Sequence, residues 1–223
     1  MYICEVDMRK DTIIFDLDGT LLDTLDDLRN SVNYALAKKG YPERSREEIR
    51  QFVGNGVKNL VTRSLPDSKA TPDFDEVFDL FKDHYAEHCN DITGPYQGIM
   101  PLLEELKKKG YKMAIVSNKS DSAVKKLAKL HFNSLIPIAI GEKESEGIRK
   151  KPAPDTVNES LRLLESDREA SVYVGDSEVD IATAKNSQMD VILCSWGFRG
   201  RKFLEDQGDF TIIDRPEELL HLV

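Results

Sequence analysis

The sequence predicts an α/β fold: a parallel-sheet core with helices on both faces and a small helical domain inserted after the first strand. Three observations predict it. Short apolar runs end abruptly in polar, loop-forming clusters, helical stripes separate those runs, and one long stretch carries helical patterns alone. Alternating strands and helices imply a parallel sheet. In such sheets ligands sit at the carboxyl ends of the strands, so the polar clusters should converge on one edge.

The first strand is Ile13-Ile14-Phe15, which runs into Asp16-Leu17-Asp18-Gly19-Thr20. Residues 22–93 then break the alternation: Ser45-Arg46-Glu47-Glu48 has capping-box spacing, and Thr71-Pro72 suits another helix start. The chain returns through Gly94-Pro95-Tyr96-Gln97-Gly98, which has linker character. Ile99, Leu102, Leu103 and Leu106 form a helical stripe that Gly110 stops. Met113-Ala114-Ile115-Val116 is a strand ending in Ser117-Asn118-Lys119, and residues 135–140 form another. Val157, Leu161 and Leu164 make the next helix. Val172-Tyr173-Val174 ends in Gly175-Asp176-Ser177, and Ile181 and Ala184 mark a short helix after it. Val191-Ile192-Leu193 and residues 210–213 complete the strands. The division is therefore a discontinuous core, 1–21 and 94–223, with an insert at 22–93.

Composition narrows the function. The chain has 223 residues, enough for one or two domains with a hydrophobic core. Its 40 acidic against 31 basic side chains give a formal charge of −9, which argues against broad binding to nucleic acid or an anionic membrane. A small anionic ligand remains compatible, because a pocket can be locally positive. No apolar run approaches the ~18 residues of a membrane span. Residues 1–11, with Glu5, Asp7, Arg9 and Lys10, lack the apolar core of a secretory signal; residues 1–10 have no assigned role. Cys4, Cys89 and Cys194 are widely spaced, so neither a zinc site nor a disulfide framework is expected, and a cytoplasmic location is. Each is read as a small buried or bystander residue.

Asp16 and Asp18 lie two apart on a tight loop. Oxygen ligands of this kind suit Mg²⁺, a carboxylate can attack phosphorus, and a second can protonate a leaving oxygen and later activate water. Taken alone the pair reads equally as a turn with solvated acids. Ser117 and Asn118 offer donors to phosphate oxygens, or cap a helix. Lys151, before Pro152-Ala153-Pro154, offers a cation to a phosphate and a nucleophile, or belongs with Arg149 and Lys150 to a solvated basic cluster. Asp176 sits where it can reach a metal with Asp180 one turn on; the alternative is acidic decoration of a helix start.

Together the clusters are far more specific. Asp16-Leu17-Asp18-Gly19-Thr20-Leu21, Ser117-Asn118, Lys151-Pro152 and Gly175-Asp176-Ser177-Glu178-Val179-Asp180, in this order, resemble the motifs of the haloacid dehalogenase superfamily of phosphotransferases. The resemblance runs from about Asp11 to the C-terminus. It implies a Rossmann-like core with the first strand central, Ser117 carried on one neighbour and Asp176 on the other, and the insert as a helical cap. It implies Asp16 as nucleophile and Mg²⁺ ligand, and Asp18 as general acid/base lending its backbone carbonyl to the metal. Ser117 and Lys151 are the implied phosphate-binding pair with Asn118 adjoining, Asp176 the third protein ligand, and Asp180 an acid orienting the metal site.

Gly54-Asn55-Gly56, Pro95-Tyr96-Gln97-Gly98, Lys151-Pro152-Ala153-Pro154-Asp155 and Trp196-Gly197-Phe198-Arg199 resemble phosphoglycolate phosphatases within that superfamily. Asn55 and Lys58 are the candidate substrate contacts from the insert, with Arg63 a further candidate cation; a plain turn and surface charge are the alternatives. The expectation is a Mg²⁺-dependent phosphatase for a small phosphorylated metabolite, phosphoglycolate first, acting as a monomer or homodimer. The rivals are a phosphomutase, and a phosphatase for a sugar phosphate, nucleotide or pyrophosphate. A dehalogenase typically lacks the second acid present here as Asp18, and a non-enzymatic binding protein would not need every expected catalytic side chain.

Overall fold

The computed structural model describes residues 10–66 and 72–223. Cys4, the unassigned N-terminal residues 1–9 and the helix-start residue Thr71 lie outside the described residues.

In chain order the elements are β1 (Thr12–Phe15), β2 (Leu22–Asp23), α1 (Leu25–Lys38), α2 (Arg46–Phe52), α3 (Val57–Ser64), α4 (Phe74–His88), β3 (Gly94–Pro95) and α5 (Ile99–Lys108). Then follow β4 (Lys112–Ser120), α6 (Asp121–His131), β5 (Ile138–Glu142), α7 (Asp155–Leu164), β6 (Ser171–Gly175), α8 (Glu178–Asn186), β7 (Asp190–Cys194), α9 (Arg201–Glu205) and β8 (Thr211–Ile213). Six strands form one sheet in the order β5-β4-β1-β6-β7-β8, with every pairing parallel. The first strand is thus central, with β4 and β6 as neighbours, and the polar ends of all three lie side by side.

Period-two alternation explains why so short a strand is apolar throughout. Ile13 and Phe15 join the larger core on one face and Ile14 joins the smaller core on the other, packing with Ala114, Val116 and Tyr173. The larger core continues into the helices between β2 and β3 through Leu25, Leu28, Leu60, Val61 and Phe81. Within that helical segment Ser45 and Glu48 form the expected capping box. Buried Asp27 on α1 accepts from the backbone N–H groups of Ile92 and Thr93, at 2.9–3.1 Å, and so fastens α1 to the returning chain.

Several elements differ from the sequence reading. The segment that follows the first loop opens with a two-residue strand: Leu22 pairs with Pro95 and Asp23 with Gly94, antiparallel. Two residues are too short for periodicity to register. The strand expected at 135–140 runs from Ile138 to Glu142, because Leu135 and Ile136 pack against the core from a loop. On α8 the buried residues are Val179, Asp180, Thr183 and Ala184, while Ile181 is half-buried; the inward face holds a carboxylate and a hydroxyl, which an apolar-stripe search passes over. Cys89 and Cys194 are buried free thiols, as expected. No described helix is long and apolar enough to cross a membrane.

Candidate active site

The carboxyl end of β1 delivers Asp16 to the sheet edge. The Leu17 carbonyl then accepts from the N–H groups of Thr20, Leu21 and Leu22, which bends the chain tightly. Gly19, at φ +90°, closes the bend against Asp176: a Cβ there would lie 2.5 Å from an Asp176 oxygen, so glycine is required on both conformational and steric grounds. Gly197 is equally constrained, with its would-be Cβ 2.3 Å from the Asp176 Cβ. Trp196 Nε1 donates to the Thr20 carbonyl at 3.0 Å and ties the two loops together.

Lys151 reaches the same point from the loop before α7. Its ammonium donates to Asp16 Oδ1 at 2.6 Å, to Asp180 Oδ1 at 2.8 Å and to the Tyr173 hydroxyl at 3.1 Å. Burial disfavours that cation, but Asp16 and Asp180 outweigh it and hold its pKa well above the usual lysine value. Asp180 is fully buried, and both its oxygens are occupied. Oδ1 accepts from Lys151 and Tyr173, and Oδ2 accepts from the N–H groups of Asp176 and Ser177 and the Ser177 hydroxyl. Asp180 therefore shapes the Asp176 turn and anchors Lys151.

Asp176 accepts from the Phe198 N–H at 2.6 Å. One oxygen each of Asp16, Asp176 and Asp180 lie within 4.8 Å of one another. Burial, partly offset by Lys151, pushes the Asp16 carboxyl up to about 7, with Asp180 and Asp18 adding to the rise. Burial followed by Asp180 and Asp16 raises Asp176 well above the carboxylate range. Buried carboxylates that resist ionising together define a site for a cation. The donor set is all oxygen and small in number, so it fits a hard divalent ion that keeps several of its waters. With Asp180 occupied, Asp16 and Asp176 are the side chains left to hold it.

Asp18 lines the same cavity beside Ser117 and Lys119. Its Oδ1 accepts from Thr24 Oγ1 at 2.7 Å and pairs with Lys119 Nζ at 2.8 Å, and its Oδ2 accepts from Ser117 Oγ at 3.4 Å. Asn118 Nδ2 donates to the Lys151 carbonyl at 3.0 Å, joining the end of β4 to the Lys151 loop, and its Oδ1 has no partner among the described residues.

One cavity is lined by Asp16, Asp18, Ser117, Asn118, Lys151 and Asp176 together. The helical segment covers it with Leu28, Val53, Gly54, Gly56, Val57 and Leu60. Asn55 and Lys58 are not among the lining residues: Lys58 is exposed, with its ammonium 5.9 Å from the Phe74 ring centroid. The turn before α3 presents its backbone and its apolar neighbours to the cavity instead. Sequence reasoning missed two cations that line it, Lys119 and Arg199. Arg199 was legible only as part of a resemblance, and Lys119 only as the residue after Ser117-Asn118 on a strand end.

Three adjacent parallel strands thus bring a D-x-D loop, a serine and a further acid to one cavity, and the loop before α7 adds a lysine. The model of the haloacid dehalogenase-like hydrolases matches residues 13–194. The chain belongs to the haloacid dehalogenase-like hydrolase family. It is 33% identical over 212 residues to a phosphoglycolate phosphatase of Aquifex aeolicus, covering 95% of each chain. It is 28% identical over 219 residues to the pyrophosphatase PpaX of Bacillus mycoides, covering 97% of this chain and 98% of that one. Among solved structures, a candidate phosphoglycolate phosphatase from Lactobacillus delbrueckii subsp. bulgaricus superposes with a TM-score of 0.89 at 40% identity, covering 95% of this chain and 97% of that one.

Proposed function

We propose that the chain is a Mg²⁺-dependent phosphatase of small phosphate monoesters, with 2-phosphoglycolate the leading substrate, acting through a phosphorylated Asp16. The observation that carries this reading is the contact of Asp16 with Lys151, 2.6 Å, in a cavity that Asp18 also lines. Lys151 fixes Asp16 Oδ1 and offsets the charge of an incoming phosphoryl group. An Asp16 oxygen attacks phosphorus, the bond to the leaving oxygen breaks, and Asp18 supplies that oxygen with a proton. Water then attacks the phospho-Asp16, passing a proton to Asp18, and the bond to Asp16 breaks to release phosphate. Ser117 Oγ donates to the phosphoryl oxygens, Asn118 holds the Lys151 loop, and Asp180 orients Lys151 and the Asp176 turn. Asp16, Asp176 and the Asp18 carbonyl would hold Mg²⁺, which would supply electrostatic stabilisation of the phosphoryl group. Residues 22–93 act as a cap, and residues 1–21 and 94–223 as the catalytic core of a cytoplasmic enzyme.

The named function of the Aquifex relative supports phosphoglycolate, and the Bacillus relative supports pyrophosphate as a second reading. Phosphate release should be measured with Mg²⁺ over 2-phosphoglycolate, sugar phosphates, nucleotides, acetyl phosphate and pyrophosphate. Release fastest from 2-phosphoglycolate is the expected result. Isomer interconversion without release would identify a phosphomutase and sink the proposal.

A further inference from the structure

Three cations line the cavity, and two are each held by several protein acceptors. Lys151 donates to two carboxylates and a phenol. Arg199 is gripped by both oxygens of Glu178 and donates to the carbonyls of Arg50 and Val53. Lys119 differs. Its side chain is 2% exposed, and among the described residues Asp18 is its only carboxylate partner. Another side of the ammonium faces the ring of Tyr85, 4.8 Å from its centroid. Burial opposes the charge, but Asp18 and Tyr85 outweigh it, so Lys119 is a cation across the neutral range.

Its position relative to the chemistry is specific. A leaving oxygen that takes its proton from Asp18 is separated from Lys119 Nζ by the Asp18 carboxyl, with one hydrogen-bond length of about 2.8 Å on each side of it. A carboxylate on the carbon next to that oxygen, or a phosphoryl group attached directly to it, bridges this span. Beside a buried, three-donor ammonium such an anion gives a second counter-charge, which a neutral alkyl leaving group cannot do. We infer that Lys119 is a specificity-determining residue that selects leaving groups carrying an anionic group beside the ester oxygen. The ring that backs Lys119 comes from α4, so the selecting cation is set in place by the helical segment and not by the sheet alone. The inference rests on the phosphatase reading above and adds the feature of the substrate that the site recognises.

The test uses the full chain with Mg²⁺ and three substrates: 2-phosphoglycolate, pyrophosphate and ethyl phosphate. Wild type should favour the first or the second over ethyl phosphate, and which of the two it favours separates a carboxylate from a phosphate as the recognised anion. Lys119→Met should lower kcat/KM for the anionic substrate about 10- to 100-fold relative to ethyl phosphate, the scale of a charged hydrogen bond. Equal losses on all three would mean that Lys119 acts only by positioning Asp18, and would overturn the proposal. Should Lys119→Met fail to fold, wild type decides alone: a kcat/KM for phosphoglycolamide equal to that for 2-phosphoglycolate overturns it, and a preference for the acid supports it. No release from any ester would remove the phosphatase reading itself, and this inference with it.

Discussion

Arg199 and Glu178 form a two-point ion pair, Nε to Oε2 at 2.8 Å and Nη2 to Oε1 at 2.9 Å, beside the cavity. The same guanidinium donates to the carbonyls of Val53 and Arg50 at the end of α2, and Arg50 returns a bond to the Phe198 carbonyl at 2.9 Å. Gly54 allows this approach, since a Cβ there would stand 3.1 Å from Arg199 Nη2. The pair thus clasps the helical segment to the loop that follows β7.

Arg199→Ala should lower stability by about 1–3 kcal/mol, the range for losing charged hydrogen bonds that leave buried groups without partners. Arg199→Lys should recover little, because an ammonium cannot reproduce the fork. Urea denaturation midpoints measure both, and an unchanged midpoint for the alanine variant would count against the clasp.

Asp16→Asn keeps the shape of the side chain and removes the attacking oxygen's charge. Turnover should fall by orders of magnitude with the circular dichroism spectrum intact. Asp18→Asn should cost roughly 10²–10⁴-fold, the scale of proton transfer to the leaving group. Near wild-type turnover by a folded Asp16→Asn protein would exclude the covalent route.

Chelation should abolish phosphate release and Mg²⁺ should restore it, with Ca²⁺ a poor substitute because it favours looser, higher coordination. Binding to the folded state alone also raises Tm. Mg²⁺ should therefore stabilise the wild type and leave Asp176→Asn unmoved. A melt insensitive to Mg²⁺ in the wild type would contradict the assignment of the acidic cluster.

The Lys151 loop is closed by Asp155, which accepts from the Arg149 backbone N–H and from two guanidinium nitrogens at 2.7–3.1 Å. The Arg149 side-chain bonds hold this carboxyl below its ordinary value, against a smaller opposing effect of burial. A depressed folded-state pKa gives stability that is present above the unfolded value of about 4 and is lost as pH falls through the lower folded value. The Tm gap between wild type and Asp155→Asn should hold steady from pH 6 to 8 (about two units and more above that unfolded value) and close in acid. A gap that persisted through the acid limb would show that the ion pair is not its source.

Substrate ranking should respond to Val57 and Leu60, which line the cavity, more than to Lys58, which does not. Leu60→Phe fills space beside the site and should penalise larger sugar phosphates relative to two-carbon phosphates. Comparing kcat/KM across that series tests it, and a ranking that moved only with Lys58→Ala would reverse the assignment. Enclosure by the helical segment also predicts poor turnover of phosphopeptides.

Part of the site was legible because three of its motif residues follow an apolar run on a strand, a boundary that sequence marks sharply. Asp16, Ser117 and Asp176 follow that rule and meet at one edge. Asn55 and Lys58 are candidates by residue type at a helix start, and type alone does not say which way a helix turns its side chains. Lys119 continued a strand end, and its partner Tyr85 is 34 positions earlier on a helix, a pairing with no local signal. The inward face of α8 was hidden because Asp180 is buried by its five donors, whereas hydropathy assigns a carboxylate to solvent.

The pairing of Leu22 with Pro95 and of Asp23 with Gly94 has a consequence for the history of such chains. These two strands pair only with each other, outside the six-stranded sheet, so the polypeptide enters and leaves the helical segment at points about 4.8 Å apart. Whatever is strung between those two points is an excursion from a closed doorway, and the sheet registers only the doorway. Doubling the length of such a loop costs about 0.6 kcal/mol in closure entropy. The excursion can therefore lengthen, shorten or be exchanged while β1, β4 and β6 keep their register, which leaves the reacting edge constant and the choice of ester free to vary.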